Sequence, residues 1–223
     1  MKKIFALLFI SFCFQVTAQK NSNDQFYVGI NYGMGVSRMN ADLTIEGILA
    51  VSTDYSFVSG YNGGLVFVYY SEPNRGIQLE LNLTQRGWDE QPDSMNLYSR
   101  RINYIELPFL SHFDIGEKNT RFFIIGGPTL SYLISEKETM PYISSKKMTK
   151  DYYNTAIDNK LALDLTFGIG IARLTRFGNI QLDFRFSQGM SNLFSGNNAR
   201  GLQATQNQFL GVKLSYLISL KRK

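Results

Sequence analysis

Apolar and polar residues alternate along several segments of this chain, and the alternation is clearest in the stretch GIQLELNLTQRGW, residues 76–88. The odd positions from 77 to 83 are isoleucine or leucine, whereas the even positions from 78 to 86 are all polar. A period of two residues is that of a β-strand with one apolar and one polar face. The pattern therefore predicts a strand, and it raises the question of which face points into the protein.

Eight segments have strand character, and the connections between them alternate between long and short. The segments span residues 26–37, 61–70, 76–88, 101–113, 121–134, 160–172, 180–190 and 208–220. Short turns follow residues 70, 113 and 172, and long polar loops, among them residues 89–99 and 135–159, form the other connections. This order is typical of an up-and-down meander whose two ends lie in different environments, as in outer-membrane barrels.

The volumes of the side chains indicate which face is inside. In four of the segments, residues 76–88, 160–172, 180–190 and 208–220, the apolar faces together carry nineteen large side chains. An eight-stranded barrel has an interior that holds roughly a dozen bulky groups, so these side chains cannot all be inside. The opposite face is rich in small residues such as Gly29, Gly33, Gly168 and Gly211. The small and polar residues are therefore predicted to face the lumen, and the leucines to face lipid.

The lengths of the segments lead to the same prediction. Most of them reach about 11–13 residues. Strands of globular proteins average about 5 or 6 residues, whereas a tilted strand needs about 9–11 to cross a bilayer. We therefore predict an all-β fold, an eight-stranded antiparallel up-and-down transmembrane β-barrel. Residues 61–70 and 121–134 alternate poorly, and the sequence does not assign their facing.

The amino-terminal residues have the plan of a secretory signal peptide. Two lysines precede an apolar run from Ile4 to Phe14, and the small residue Ala18 follows. A run of this length is too short for a transmembrane helix, which needs about 20 apolar residues. We predict that residues 1–18 are removed and that residues 19–223 form the barrel domain. A lipid anchor at Cys13 is the alternative.

Composition narrows the function further. Cys13 is the only cysteine and leaves with the predicted signal peptide, which excludes disulfides and thiolate metal sites in the mature chain. The formal charge of +5 includes two lysines of that segment, and the remaining charges are of both signs, so a nucleic-acid partner is not indicated. The chain has no phosphate-binding glycine motif and no calcium-loop spacing of aspartates, and we expect no cofactor and no metal site.

The predicted facing brings seven charged residues into the lumen. They are Glu80, Arg86, Glu106, Asp164, Asp183, Arg185 and Lys213. Asp183 and Arg185 lie about 6.6 Å apart along one strand face, so the arginine is expected to reach carboxylates on neighbouring strands. Because burying single charges is costly, these residues are tolerable only as a paired, hydrogen-bonded network. We predict an ionic plug, and a gated or selective ion path is the alternative.

His112 is the only histidine, and beside Ser111 it invites comparison with a hydrolase. Extrapolation along the strand places it near a short turn, and the pattern offers no second catalytic partner. We therefore expect His112 to be a polar residue of the barrel, and we expect no enzymatic activity.

Aromatic residues fall at two levels of the predicted strands. Trp88 and Tyr132 lie near the ends that carry long loops, and Tyr69, Phe113, Phe177 and Tyr216 lie near the short turns. Aromatic belts at both membrane interfaces are typical of membrane barrels, so we predict that these six residues form them.

Three segments resemble a known family of barrels. NYIELPFL (103–110), GGPTLSYLI (126–134) and LDFRFSQGMSNL (182–193) resemble the porin-family, PorT-like outer-membrane β-barrel domain of Gram-negative bacteria. The resemblance covers nearly the whole mature chain and implies a closed eight-stranded barrel in the cell outer membrane. It also implies contacts with outer-membrane lipids and the barrel-assembly machinery, and, for one branch of the family, with secretion or envelope-assembly proteins.

The sequence thus favours a non-enzymatic outer-membrane barrel with periplasmic termini that acts as a membrane anchor or binding scaffold. A narrow channel for small solutes is the first alternative. A soluble secreted barrel that binds an apolar ligand is the second, and it requires the leucines to point inward.

Overall fold

The structure, a computed structural model, describes residues 25–43, 55–93, 96–116, 119–139, 157, 159–193 and 202–220. Every regular element in these ranges is a β-strand: β1 (Gln25–Leu43), β2 (Tyr55–Ser56), β3 (Val58–Glu72), β4 (Arg75–Asp93), β5 (Asn96–Ile115), β6 (Thr120–Thr139), β7 (Leu161–Leu174), β8 (Asn179–Gly189) and β9 (Leu202–Ser219). The predicted signal peptide and most of the predicted loop 135–159 lie outside the described residues. Within the described ranges, no helix has the length and apolarity needed to cross a membrane.

Eight long strands close into a barrel by antiparallel pairing. The order around the ring is β1, β3, β4, β5, β6, β7, β8 and β9, and β9 pairs with β1 from Tyr27 opposite Ser219 to Leu43 opposite Leu202. The short strand β2 pairs with β4 near its end. Closure gives each long strand two partners, which satisfies backbone groups where lipid offers no hydrogen bonds. The predicted eight-stranded antiparallel barrel is confirmed.

The two ends of the barrel differ. At the end that we call the turn end, residues 73–74 and 175–178 join consecutive strands, β5 ends and β6 begins, and β1 begins and β9 ends. The opposite end, the loop end, carries the other connections. This arrangement agrees with the alternation of short and long connections in the sequence.

One predicted loop is largely strand. Residues 89–99 were expected to form a polar loop, but β4 runs to Asp93 and β5 begins at Asn96, and Glu90 pairs with Tyr98. A hairpin that continues past the apolar band still makes its ladder of backbone hydrogen bonds, yet it does not need an apolar face. The alternation signal is therefore missing there, and the sequence did not reveal the extension.

The apolar faces of the strands point outward. On β7, Leu161, Phe167 and Ile169 are exposed, whereas Ala162 and Asp164 between and beside them are buried. The same alternation runs along β8, with odd positions from 179 to 189 buried. This facing agrees with lipid-exposed leucines and does not agree with the alternative of a soluble barrel with an apolar interior.

The strands β3 and β6, whose facing the sequence did not assign, carry apolar side chains on both faces near the turn end. On β3, Val66 points into the barrel and Leu65 points out; on β6, Phe123 points in and Ile124 points out. A strand that is apolar on both faces has no alternation to detect.

Glycine permits close approach of the strands at two inward positions. A Cβ atom on Gly29 would collide with the carbonyl oxygen of Tyr216, and one on Gly64 with that of Leu81. These positions are on the lumen side of a small barrel, where side chains have the least room.

The lumen is filled in three levels. The apolar level at the turn end consists of Tyr27, Val66, Val68, Tyr70, Leu217, Leu110, Phe123, Ile125 and Ala172. The charged residues predicted from the sequence form the middle level. The apolar level at the loop end consists of Met39, Trp88, Ile102, Tyr104, Leu133, Ile157 and Leu193. The charged level therefore lies between clusters of buried apolar side chains at the two ends.

Candidate functional site

All seven charged residues that the sequence placed in the lumen are buried there. They form two groups of interacting side chains, one around Glu80 and one around Arg86. Each group combines ion pairs with hydrogen bonds from neutral side chains, which is the arrangement that makes buried charge tolerable.

The first group spans the lumen from β8 and β9 to β4. Arg185 donates from Nη1 and Nη2 to the two carboxylate oxygens of Glu80, at 2.9 and 2.8 Å, and also contacts Asp183 on its own strand. Lys213 Nζ donates to Glu80 Oε2 at 2.8 Å. Asn82 Nδ2 donates to the same oxygen at 2.8 Å. Glu80 therefore receives two cations and has its oxygens fully engaged.

The prediction that Arg185 reaches carboxylates on neighbouring strands is wrong. Glu80 lies on β4, four strands away from β8 in either direction around the ring of eight, so the pair crosses the full width of the lumen. An extended arginine side chain can do this because eight strands enclose only a narrow interior.

The second group lies nearer the loop end and is centred on Arg86. The Nη2 atom of Arg86 is 2.5 Å from Glu106 Oε1, and the Nη1 atom of Arg86 donates to Asp164 Oδ2 at 2.9 Å. Thr84 and Ser131 donate their hydroxyl hydrogens to Glu106 and Asp164, at 2.8 and 3.1 Å. One guanidinium thus joins β4, β5 and β7.

His112 extends the network toward the turn end. Gln78 donates from Nε2 to Glu80 Oε1 at 2.5 Å. The amide oxygen of Gln78, Oε1, lies 2.7 Å from His112 Nδ1. Because Glu80 only accepts, the amide orientation requires a proton on His112 Nδ1. His112 Nε2 lies 3.0 Å from Asp114 Oδ1 and 3.1 Å from the Tyr70 hydroxyl. The expectation of a polar barrel residue agrees with this position.

Trp88 is not at the membrane interface as predicted. Its side chain is fully buried inside the lumen, and the guanidinium of Arg100 lies 5.6 Å from the ring centroid. Trp88 has the same parity as Glu80 and Arg86 on β4, so the alternation that turns those charges inward also turns the indole inward. Arg100, which contacts Glu136 and Glu138, was missed because residues 89–99 were expected to be a loop.

The other five predicted interface residues lie on the outside of the barrel. Phe113, Tyr132, Phe177 and Tyr216 are exposed, and Tyr69 is partly exposed. Tyr216 donates its hydroxyl hydrogen to the carbonyl of Phe177 at 2.7 Å. Their role in aromatic belts stays a prediction.

Two cavities in the described part of the barrel show how much open space the lumen contains. A cavity of about 20 Å³ lies within the charged level, lined by Asn62, Arg86, Glu106, Arg185 and Lys213 among others. A vestibule of about 380 Å³ lies at the turn end, and its lining includes Tyr27, Tyr70, Asp114, Arg121 and Asn179. The smaller volume is that of about one water molecule. Among the described residues, no group of histidine, cysteine and carboxylate side chains is arranged to hold a metal ion.

Comparisons with known proteins agree with this architecture. Residues 15–195 match the sequence profile of a family described as the outer membrane protein beta-barrel domain. The crystal structure of the outer membrane protein OprG from Pseudomonas aeruginosa superposes with a TM-score of 0.52 at 11% identity, covering 86% of this chain and 93% of that one. For the attachment invasion locus protein Ail of Yersinia pestis the TM-score is 0.41 at 14% identity, with coverage of 87% and 99%.

No curated protein gives a significant match to this chain. The likeness to OprG concerns the fold alone, because the identity is low. The family match, in contrast, covers well over half of the chain. The chain therefore belongs to the outer membrane protein beta-barrel domain family, and it is an eight-stranded β-barrel of the outer membrane.

Proposed function

We propose that this protein is a non-enzymatic outer-membrane barrel that is closed to ions and acts as a membrane anchor or binding scaffold. The observation that carries the proposal is the ionic plug. Arg185, Lys213 and Arg86 cross the lumen to carboxylates on other strands, and the cavity left among them measures about 20 Å³. A hydrated ion cannot pass such a space without breaking several of these pairs.

The binding surfaces of such a scaffold are its two ends. Short turns face the periplasm in outer-membrane barrels. By this rule the turn end and both chain termini are periplasmic, and the extended strands β4, β5 and β6 rise on the outer side. The resemblance to PorT-like barrels supports a partner among secretion or envelope-assembly proteins, with insertion by the barrel-assembly machinery into outer-membrane lipids.

The test is single-channel recording of the purified, refolded mature protein in a planar bilayer. A denatured sample serves as the negative control, and heat-modifiable gel mobility of the same preparation verifies folding and insertion. We expect a silent bilayer. Steady, ion-selective current steps from the verified protein would overturn the closed-barrel proposal.

A narrow channel for small solutes is the second candidate, and the vestibule favours it. The vestibule already opens the turn-end part of the lumen, so conduction requires only that the charged level rearrange. In that case Lys213→Gln should alter the ion selectivity of the current, since Lys213 faces the cavity in the charged level. A current whose selectivity is unchanged by this substitution would exclude a path through the plug.

A further inference from the structure

One wall of the lumen, formed by β8, β9 and β1, carries buried polar side chains that the protein does not satisfy. Asn31, Ser215, Gln181 and Asn179 are all more than nine-tenths buried. The atoms without a hydrogen-bond partner are both amide atoms of Asn31, Ser215 Oγ, Gln181 Nε2 and Asn179 Oδ1. Asn31 lies opposite Ser215, and Ser215 lies opposite Gln181, so these three form one row across the strands. We call the four residues the polar row.

The facing wall, formed by β3, β4 and β5, is satisfied at its turn-end glutamine, whereas Asn62 Oδ1 and Asn82 Oδ1, at the cavity in the charged level, also lack a partner. Gln78 uses both ends of its amide, donating to Glu80 and accepting from His112. Asn62 donates to Thr84 at 2.5 Å, and Thr84 donates to Glu106. Gln78 shows that the fold can satisfy a buried amide in the turn-end half of this lumen, which it does not do along the polar row.

Leaving a buried donor or acceptor unpaired costs more than a typical hydrogen bond contributes. Five such atoms in one wall would together offset a large part of the net stability of a domain. The partners of the polar row are therefore expected to come from outside the chain. Ala172, which lies opposite Gln181, is small and lines the vestibule from which such partners can enter.

We propose that the polar row binds water molecules, which reach it from the vestibule at the turn end. Donors and acceptors are mixed within the row, so the ligand must both donate and accept. The next inward charges, Asp183 and Lys213, are already paired with Arg185 and Glu80, so the ligand needs no charge. Water meets these requirements and is the usual partner of otherwise unsatisfied buried groups.

The position of Asn179 supplies the route. Asn179 lines the vestibule, and Gln181 lies two residues further along the same inward face of β8. The row then leads to the level of Lys213, where the ionic plug begins. The proposal goes beyond a barrel closed to ions, because it assigns bound water to the polar row and none to the amide of Gln78.

The experiment compares two glutamines in one sample. Gln181 and Gln78 are 1% and 0% exposed, so burial does not distinguish them. Water-edited solid-state NMR on the full mature chain in liposomes measures the rate at which water-proton magnetisation reaches each side-chain amide, and the variants Gln181→Leu and Gln78→Leu assign the two signals. We expect the Gln181 amide to receive magnetisation several-fold faster than that of Gln78. Equal, slow transfer to both amides would overturn the proposal.

A second variant tests the route. Ala172 is buried, lines the vestibule and faces Gln181 across the β7–β8 pair, so Ala172→Leu should fill the space between vestibule and row. Transfer to Gln181 should then fall to the rate of Gln78, while heat-modifiable mobility shows that the barrel still folds. Unchanged transfer in the folded variant would refute access from the turn end. The wild-type comparison of the two glutamines decides the proposal if this variant does not fold. Neither result depends on whether the barrel conducts ions.

Discussion

Arg185 is the residue whose replacement tests the ionic plug most directly. It makes two hydrogen bonds to Glu80, at 2.9 and 2.8 Å, and it contacts Asp183. Arg185→Met keeps an unbranched side chain but removes the charge, so Glu80 retains Lys213 while Asp183 loses the guanidinium. Removing one partner of a buried ion pair lowers the free energy of unfolding by about 3–5 kcal/mol. We expect a loss of that size.

The assay is equilibrium urea unfolding in lipid vesicles, followed by tryptophan fluorescence. Trp88 is the only tryptophan and lies inside the lumen, so its emission reports on the barrel interior. The matched control is Arg75→Met. Arg75 is 3.7 Å from Glu72, and both side chains are more than half exposed. Surface pairs of this kind contribute roughly 0–1 kcal/mol, so the control should be nearly neutral.

A double variant separates lost charge from lost packing. Arg185→Met combined with Asp183→Asn removes the carboxylate that the single variant leaves without its guanidinium. Because an uncompensated buried charge dominates the penalty, the double variant should recover a substantial part of the stability. The reasoning is refuted if Arg185→Met costs no more than Arg75→Met, or if the double variant is as unstable as the single one.

Three further outcomes are expected. Trp88→Ala should lower the free energy of unfolding by about 3–5 kcal/mol, because it removes the largest side chain of the apolar level at the loop end. Unfolding in urea is followed by far-ultraviolet circular dichroism, and a loss below about 1 kcal/mol would contradict that packing. Phe167→Arg, on the outward face in the middle of β7, should cost about 2–4 kcal/mol in the same assay, whereas Phe177→Arg in an exposed turn should cost less than about 1 kcal/mol; equal effects would argue against a lipid-facing band. Asn74→Cys should resist a membrane-impermeant thiol reagent in intact cells and react after the outer membrane is opened, and labelling of intact cells would reverse the proposed orientation.

The barrel was predictable because most strands separate their two faces by polarity. From Leu161 to Ile171 on β7 and from Ile180 to Phe186 on β8, every second residue is large and apolar, and the lumen side carries Asp164, Asp183 and Arg185. Chain length, strand length and the order of connections then left little choice of architecture. The facing of β3 and β6 was not predictable, since residues such as Val66 and Phe123 fill the apolar level at the turn end and remove the contrast between faces.

The candidate site was predictable as a set of residues but not as a set of contacts. Alternation alone predicts that Glu80 and Arg185 are inside the barrel. Their pairing depends on how the strands are staggered around the ring, and no local sequence pattern indicates a contact between residues 105 positions apart. The same alternation places Trp88 inside. The prediction of an interface position for Trp88 uses only its level along the strand, whereas its parity decides which face it is on.

The charged level also explains how a barrel with two weakly patterned strands specifies its facing. A one-residue slip of a strand exchanges its two faces. For β3 such a slip exchanges Val66 with Leu65 and has little effect on polarity, so β3 cannot select its own facing strongly. For β4 and β8 the same slip moves Glu80 and Arg185 into lipid, where an arginine at the bilayer midplane costs about 2–4 kcal/mol, and it breaks the pair that crosses the lumen. Because β3 pairs with β4 along most of its length, the register of β4 determines which face of β3 points inward. The lumen charges therefore also favour the arrangement of strands in which Glu80 and Arg185 meet across the barrel.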